Sequence, residues 1–271
     1  MKQRSQIFNA PRIMIAAPSS NSGKTTLTCA LLQALKNRGK SPVAFKCGPD
    51  FIDPMFHEQV LGVPSANLDS FFCDDDDLRE IFEREAANGD FSVIEGVMGL
   101  FDGLGGQSLK ASSYDVARIT KTPILLVIDA SGASRSLVPL VKGFLDYDNS
   151  HSESGENLIK AIFLNKAAES QFKILKPLIE EECAESGYDV KVIGFLPKNS
   201  QDVWKSRHLG LILPSEIENL RSQIEKTAEI LEKTTDFETI EEITTEVTNG
   251  DFKGRSPLGE GVGGNEERSE G

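Results

Sequence analysis

The residues able to do chemistry fall in short polar stretches that each follow an apolar run. The first is Ala17-Pro18-Ser19-Ser20-Asn21-Ser22-Gly23-Lys24-Thr25-Thr26. A Gly-Lys-Thr core between a strand and a helix lets successive backbone N–H groups cradle phosphate oxygens, and the helix N-terminus adds partial positive charge. In such a loop Lys24 reaches the β- and γ-phosphates and the Thr25 hydroxyl ligates Mg2+. Asn21, Ser22, Gly23 and Thr26 complete the nucleotide-binding stretch. One position departs from the usual pattern: Pro18 stands where a glycine is expected, five residues before Gly23.

Carboxylates end three of the other apolar runs. Gly48-Pro49-Asp50-Phe51-Ile52-Asp53-Pro54 holds two of them between prolines, as a stiff acidic loop. Prolines and aspartates are ordinary turn residues, so the alternative to a metal ligand plus a substrate-facing or proton-accepting group is a plain turn. Glu95 ends Phe91-Ser92-Val93-Ile94, next to the expected phosphate loop, where a second Mg2+ ligand or a water-orienting group is needed. The glycines at 96, 99, 103, 105 and 106 either let the backbone approach a ligand or make a flexible loop. Asp129 ends Leu126-Val127-Ile128 and competes for the metal role, or caps the following segment. Asn165, in Leu164-Asn165-Lys166, offers an amide that both donates and accepts toward a base. A guanine reader would place Asp two residues after the lysine; Ala168 stands there, which favours adenine and hence ATP.

These stretches need a scaffold that brings strand ends together. Strand runs are expected at 12–17, 43–47, 91–94, 123–128, 159–164 and 190–196. Helical spacing is expected at 25–38, 78–87, 114–120, 137–145, 171–186 and 214–233. The near-continuous apolar run at 123–128 marks a strand buried on both faces. Such alternation implies a P-loop NTPase-like α/β fold, a mostly parallel sheet with helices on both faces and ligands at the strands' carboxyl ends.

Composition bounds the partners. The chain has 271 residues, 39 % of them hydrophobic, and a net charge of −13. That charge argues against nucleic acid or an anionic membrane as a partner. No run approaches the roughly 20 apolar residues of a membrane span. Cys29, Cys47, Cys73 and Cys183 form no Cys-x-x-Cys pair, so reduced thiols in a cytoplasmic protein are expected. The domain is expected over 1–233, followed over 234–271 by an acidic, Gly-rich, disordered tail.

With these blocks in order, the chain resembles the synthetase domain of the cobyrinate a,c-diamide synthase family, P-loop amidoligases related to cobyric acid synthase and dethiobiotin synthetase. The matching blocks are Gly23-Lys24-Thr25-Thr26, Phe45 to Pro54, Asn67-Leu68-Asp69-Ser70, Val93 to Gly103, Val141-Lys142-Gly143-Phe144, Leu164-Asn165 and Ser206-Arg207-His208-Leu209-Gly210-Leu211. The resemblance implies ATP-dependent amidation of the a and c carboxylates of a corrinoid through acyl phosphates. It implies Lys24, Asp50, Asp53 and Glu95 as catalytic residues and Mg2+ held by Thr25, Asp50 and Glu95. Asp53 is the candidate for positioning substrate or deprotonating ammonium, and Asn165 with the segment at Pro197 matches the adenine pocket. Family members usually add a glutaminase domain with a catalytic cysteine. These residues include no such domain, so the expectation is a fragment of a longer synthase, a separate glutaminase, or free ammonia. A homodimer is compatible with the resemblance. The related enzymes acting on nickel-sirohydrochlorin or hydrogenobyrinate are alternatives. A partitioning-type switch ATPase is another, but residues 19–22 lack the second lysine such proteins carry early in the loop.

Overall fold

The computed structural model describes residues 10–152, 155–198 and 214–249. The family-like block at 206–211 and the expected tail over 250–271 lie outside them. Among the described residues, the apolar runs form seven parallel strands: β1 (Arg12–Ala16), β2 (Pro42–Cys47), β3 (Ser65–Leu68), β4 (Phe91–Glu95), β5 (Ile124–Asp129), β6 (Ile159–Asn165) and β7 (Lys191–Leu196). Their spatial order is β3-β2-β4-β1-β5-β6-β7. The chain leaves β1 toward one edge, returns to β4 beside it, and crosses to β5 on the other side. The loops after β1 and β4 therefore open at a topological switch point, where a crevice forms.

Helices cover both faces. On one face, α3 (Asp75–Ala86), α4 (Ser113–Thr120), α5 (Leu137–His151) and α6 (Glu169–Glu185) bury Leu78, Phe82, Val116, Val141 and Ile179 against Phe45, Ile94, Leu126 and Ile162. On the other, α1 (Lys24–Asn37), α7 (Pro214–Thr234) and α8 (Phe237–Asn249) bury Leu27, Leu31, Ile224, Leu231 and Ile240 against Ile13, Ile15, Leu125 and Phe163. Every residue of β1, β2 and β4 is buried.

The expected strands and long helices are present, and three features differ from expectation. The segment 65–68 is an edge strand, β3, pairing with Ala44–Cys47 of β2. Its Ser-Ala-Asn-Leu sequence has no β-branched residue, so the pairing comes from a neighbour rather than from propensity. The acidic loop closes into a short helix, α2 (Ile52–Phe56), continued by a π-helical turn over His57–Leu61. Pro54 is tolerated because it sits in the first turn, where its missing N–H would have no helical partner. The third is the start of the tail, which does not begin at 234. α8 follows α7 after two residues, and Phe237, Ile240 and Ile243 are buried at helical spacing. Arg38 lies over the Phe237 ring at 3.9 Å, tying α8 to the end of α1. Acidic and threonine-rich composition hid an amphipathic helix whose partner surface is supplied by the fold.

Candidate active site

The carboxyl ends of β1, β2 and β4 enclose a cavity of about 470 Å³. Its walls include Asn21, Gly23, Lys24, Thr25 and Thr26 on one side and Asp50, Asp53, Lys46 and Glu95 on the other.

The phosphate-loop wall is shaped by Gly23, which has φ 98°. A Cβ at Gly23 would stand 1.9 Å from Asn165 Nδ2, so glycine is required there on two counts. Asn165 is buried and its Nδ2 donates to Ser22 O at 2.7 Å. Its amide therefore braces the phosphate loop from the end of β6. Lys24 Nζ donates to Ser19 O at 3.0 Å and to Met98 O at 2.5 Å, reaching across the mouth of the loop to the segment after β4. That segment is fastened to the phosphate loop by Leu100 N donating to Ala17 O at 2.8 Å.

The acidic wall is built by strand register. Lys46 of β2 lies opposite Glu95 of β4, so both side chains share one face of the sheet. Lys46 Nζ is 2.9 Å from Glu95 Oε1 and 2.5 Å from Asp53 Oδ2. The three side chains are almost wholly buried. Burial works against the charge on each partner. For Lys46, the Glu95 and Asp53 charges overcome that penalty and hold its pKa above the ordinary lysine value. For Glu95, the Lys46 charge together with His57 and Thr25 holds its carboxyl well below the usual carboxylate range. The Thr25 hydroxyl donates directly to Glu95 Oε1, joining the two walls. Asp50 lines the cavity, with its Oδ1 accepting the N–H of Ile52 at 2.9 Å. Asn67 of β3 donates to the carbonyls of Gly48 and Asp50, both at 2.8 Å, and so fixes that loop.

The structure thus brings together Lys24, Thr25, Asp50, Asp53 and Glu95. Ser22 is buried behind the loop, its hydroxyl donating to Ser19 O. Pro197 directly follows β7 and does not line the cavity. Asp129 is engaged by Lys166 at 2.5 Å and by the Ser131 hydroxyl at 2.6 Å, outside the acidic wall. Lys166 itself lines the cavity. Among the described residues, no group of three or more His, Cys, Asp and Glu would hold a metal by itself. Nucleotide-bound Mg2+ takes one or two carboxylates, with phosphate oxygens and waters filling its shell. A hydroxyl touching an ionised carboxylate beside the phosphate loop fits that donor set.

Sequence reasoning assigned no role to Lys46 or His57. A lysine inside the apolar run Val43-Ala44-Phe45-Lys46-Cys47 was itself a signal, because a charge on an inner strand needs a buried partner. Asp53 and His57 are four residues apart, one helical turn.

A phosphate loop at the switch point of a parallel sheet, faced by a carboxylate-rich wall, defines a P-loop nucleotide-binding α/β protein. More narrowly, the chain belongs to the CobQ/CobB/MinD/ParA nucleotide binding domain family, whose model matches residues 13–211. It is 41 % identical over 240 residues to the cobyrinate a,c-diamide synthase of Listeria innocua, covering 88 % of this chain and 51 % of the relative. The synthase of that name from Clostridium acetobutylicum is 41 % identical over 81 % of this chain and 48 % of its own. That of Thermoplasma volcanium is 39 % identical over 82 % of this chain and 46 % of its own. The chain therefore spans about half the length of the curated relatives it matches. The FtsY signal recognition particle receptor of Elizabethkingia anophelis, solved with GDP, aligns at 15 % identity with a TM-score of 0.47, over 82 % of this chain and 66 % of that one; the likeness is too distant to bear on function. No helix among the described residues is long and apolar enough to cross a membrane.

Proposed function

We propose that this chain is the ATP-dependent synthetase portion of a cobyrinate a,c-diamide synthase, amidating the a and c side-chain carboxylates of cobyrinic acid. The observation that carries the reading is the meeting of two walls in one cavity: the phosphate loop, and the Asp50–Asp53 segment with Glu95 and Lys46. A nucleotide switch also needs the Mg2+-holding carboxylates of the second wall. A ligase that activates a carboxylate needs, in addition, charged groups for the acceptor, and the Lys46–Asp53 pair lining the same cavity offers them. The names of the relatives support the same substrate class.

In this reading a ring carboxylate oxygen attacks the γ-phosphorus of ATP. The new O–P bond forms as the bond to the β-bridging oxygen breaks, and ADP leaves. Ammonia then attacks the acyl carbon; the C–N bond forms, the C–O bond breaks, and inorganic phosphate leaves as nitrogen gives up its proton. Lys24 exchanges the carbonyls of Ser19 and Met98 for γ-phosphoryl oxygens and stabilises the charge of the transition state. Thr25, Glu95 and Asp50 would hold Mg2+, whose contribution is to neutralise phosphoryl charge. Asp53, kept next to the Lys46 ammonium, positions the acceptor or takes the proton of ammonium. Asn165 and the segment at Pro197 are assigned to the adenine side, and Asn165 in addition braces the phosphate loop through Ser22. The exposed side chains of Phe51, Ile52 and Met55, beside the acidic wall, offer apolar surface to the flat face of a macrocycle. Ammonia is supplied by a glutaminase activity outside these residues or by free ammonia, in the cytoplasm.

The test is incubation with cobyrinic acid, ATP, Mg2+ and concentrated ammonium, followed by mass spectrometry of the ring and quantitation of ADP. Two added amides with two ADP per ring are expected. ADP formation with an unmodified ring would overturn the cobyrinate reading in favour of a switch ATPase or of an amidoligase acting on another tetrapyrrole.

A further inference from the structure

His57 is fully buried at the start of the π-helical turn and does not line the cavity. Its Nε2 lies 3.6 Å from Glu95 Oε2. Neither atom has a hydrogen-bond partner in the structure, and both are sealed from solvent. On the other side of the ring, Nδ1 stands 3.2 Å from Ser65 Oγ of β3. Glu95 Oε1 is already taken by Thr25 and Lys46. The carboxylate thus shows one oxygen to the cavity and turns the other toward an imidazole behind it.

We propose that His57 is a positioning residue that holds Glu95 by its rear oxygen, so that the carboxylate presents a single oxygen to the Mg2+–nucleotide site. This rests on the nucleotide-site assignment made above. The ionised Glu95 carboxylate can only accept, so Nε2–H faces Oε2, and the Ser65 hydroxyl then donates to Nδ1. The gap of 3.6 Å is too short to admit a bridging water and exceeds a hydrogen bond by a few tenths of an ångström. Site hydrogen bonds of this kind commonly tighten when the ligand arrives. A π-helical turn suits the task, because such turns are rare and recur at functional sites. A clamp on one oxygen disfavours the bidentate carboxylate geometry open to larger cations and suits the octahedral demands of Mg2+. Partners behind a metal ligand typically contribute 10- to 100-fold to metal affinity or activity.

The test is calorimetric titration of ATP into the protein, with and without Mg2+, which needs no corrinoid. The readout is the factor by which Mg2+ tightens ATP binding. His57→Gln places its amide nitrogen near the position of Nε2, whereas His57→Asn places it near that of Nδ1. His57→Gln is expected to keep that factor to within about threefold, with His57→Asn and His57→Leu losing about tenfold or more. ATP affinity without Mg2+ is expected to stay within threefold in all of them. A circular-dichroism melt identifies variants that fold; should His57→Leu not fold, the comparison of Gln with Asn decides. Equal Mg2+ enhancement in His57→Asn and the parent protein would overturn the proposal, as would equal loss in the Gln and Asn variants. No enhancement by Mg2+ in the parent protein would instead refute the nucleotide-site assignment.

Discussion

Replacing Lys46 by methionine keeps a long buried side chain and deletes its charge. In the structure that charge serves both Glu95, at 2.9 Å, and Asp53, at 2.5 Å. Without it, two carboxylates share a nearly dry site. Breaking a buried pair from one side costs about 3–5 kcal/mol. A second route gives a similar figure. One carboxyl escapes the penalty by taking a proton, and from the ordinary value of 4.5 that costs about 1.4 kcal/mol per pH unit, hence about 3.4 kcal/mol at pH 7. The two routes agree on a loss near 3–4 kcal/mol, a large part of a stability of about 5–15 kcal/mol.

The signs of the pH dependence separate variant from parent. In the parent, Glu95 is depressed, so its contribution is complete above 4.5 and is lost as pH falls through the folded value. Lys46 is raised from 10.5, so its contribution is complete below that pH and is lost as pH rises through the folded value. Neither changes between pH 5.5 and 8. In Lys46→Met the shared carboxyl has a raised folded value, so the folded state binds the extra proton and stability increases as pH falls. The gap to the parent should shrink by about 2 kcal/mol between pH 7 and 5.5. Urea denaturation followed by circular dichroism, in EDTA, measures both quantities. A variant within 1 kcal/mol of the parent at pH 7, with a parallel pH profile, would refute the buried-triad account.

Gly23→Ala should weaken ATP binding at least tenfold, because the new methyl meets Asn165 Nδ2 and the backbone φ of 98° disfavours alanine. Adding Asn165→Ala should relieve the clash and leave the backbone strain, so full recovery in an ATP titration would contradict this. Asp53→Asn should leave ATP affinity within about threefold and lower amidation about 100-fold, as loss of an acid–base group does; an equal fall in ATP affinity would move Asp53 into the nucleotide site. Phe237→Ala should cost about 3–5 kcal/mol in urea denaturation, since the ring is buried under Arg38. A loss below 1 kcal/mol would mean that α8 does not share the core.

Much of the molecule was legible in the sequence, because local rules and tertiary packing agree there. The apolar run of β5 and the Leu27, Leu31, Leu35 stripe of α1 encode their elements by periodicity. The Gly-Lys-Thr core encodes the phosphate loop because its backbone requirement is local. Thr25, Asp50, Asp53 and Glu95 could be singled out from the sequence because each ends an apolar run or lies in the segment that leaves one, and because the family-like blocks pointed to them. Strand β3 and helix α8 were not legible. Ser65-Ala66-Asn67-Leu68 becomes a strand by pairing with β2, and the Phe237–Ile243 stripe becomes core where α1 and β7 offer a surface.

The sequence by itself determined the parallel sheet, the loop that holds phosphate and the acidic residues beside it, since each depends on neighbours within a few positions. Tertiary structure alone decided the charge state of that acidic wall. Lys46 meets Glu95 because β2 and β4 lie side by side in register, though 49 residues separate them in the chain. His57 reaches the same carboxylate because α2 runs on into a π-helical turn. A buried charge is set by what surrounds it in space, and one-dimensional spacing does not carry that information.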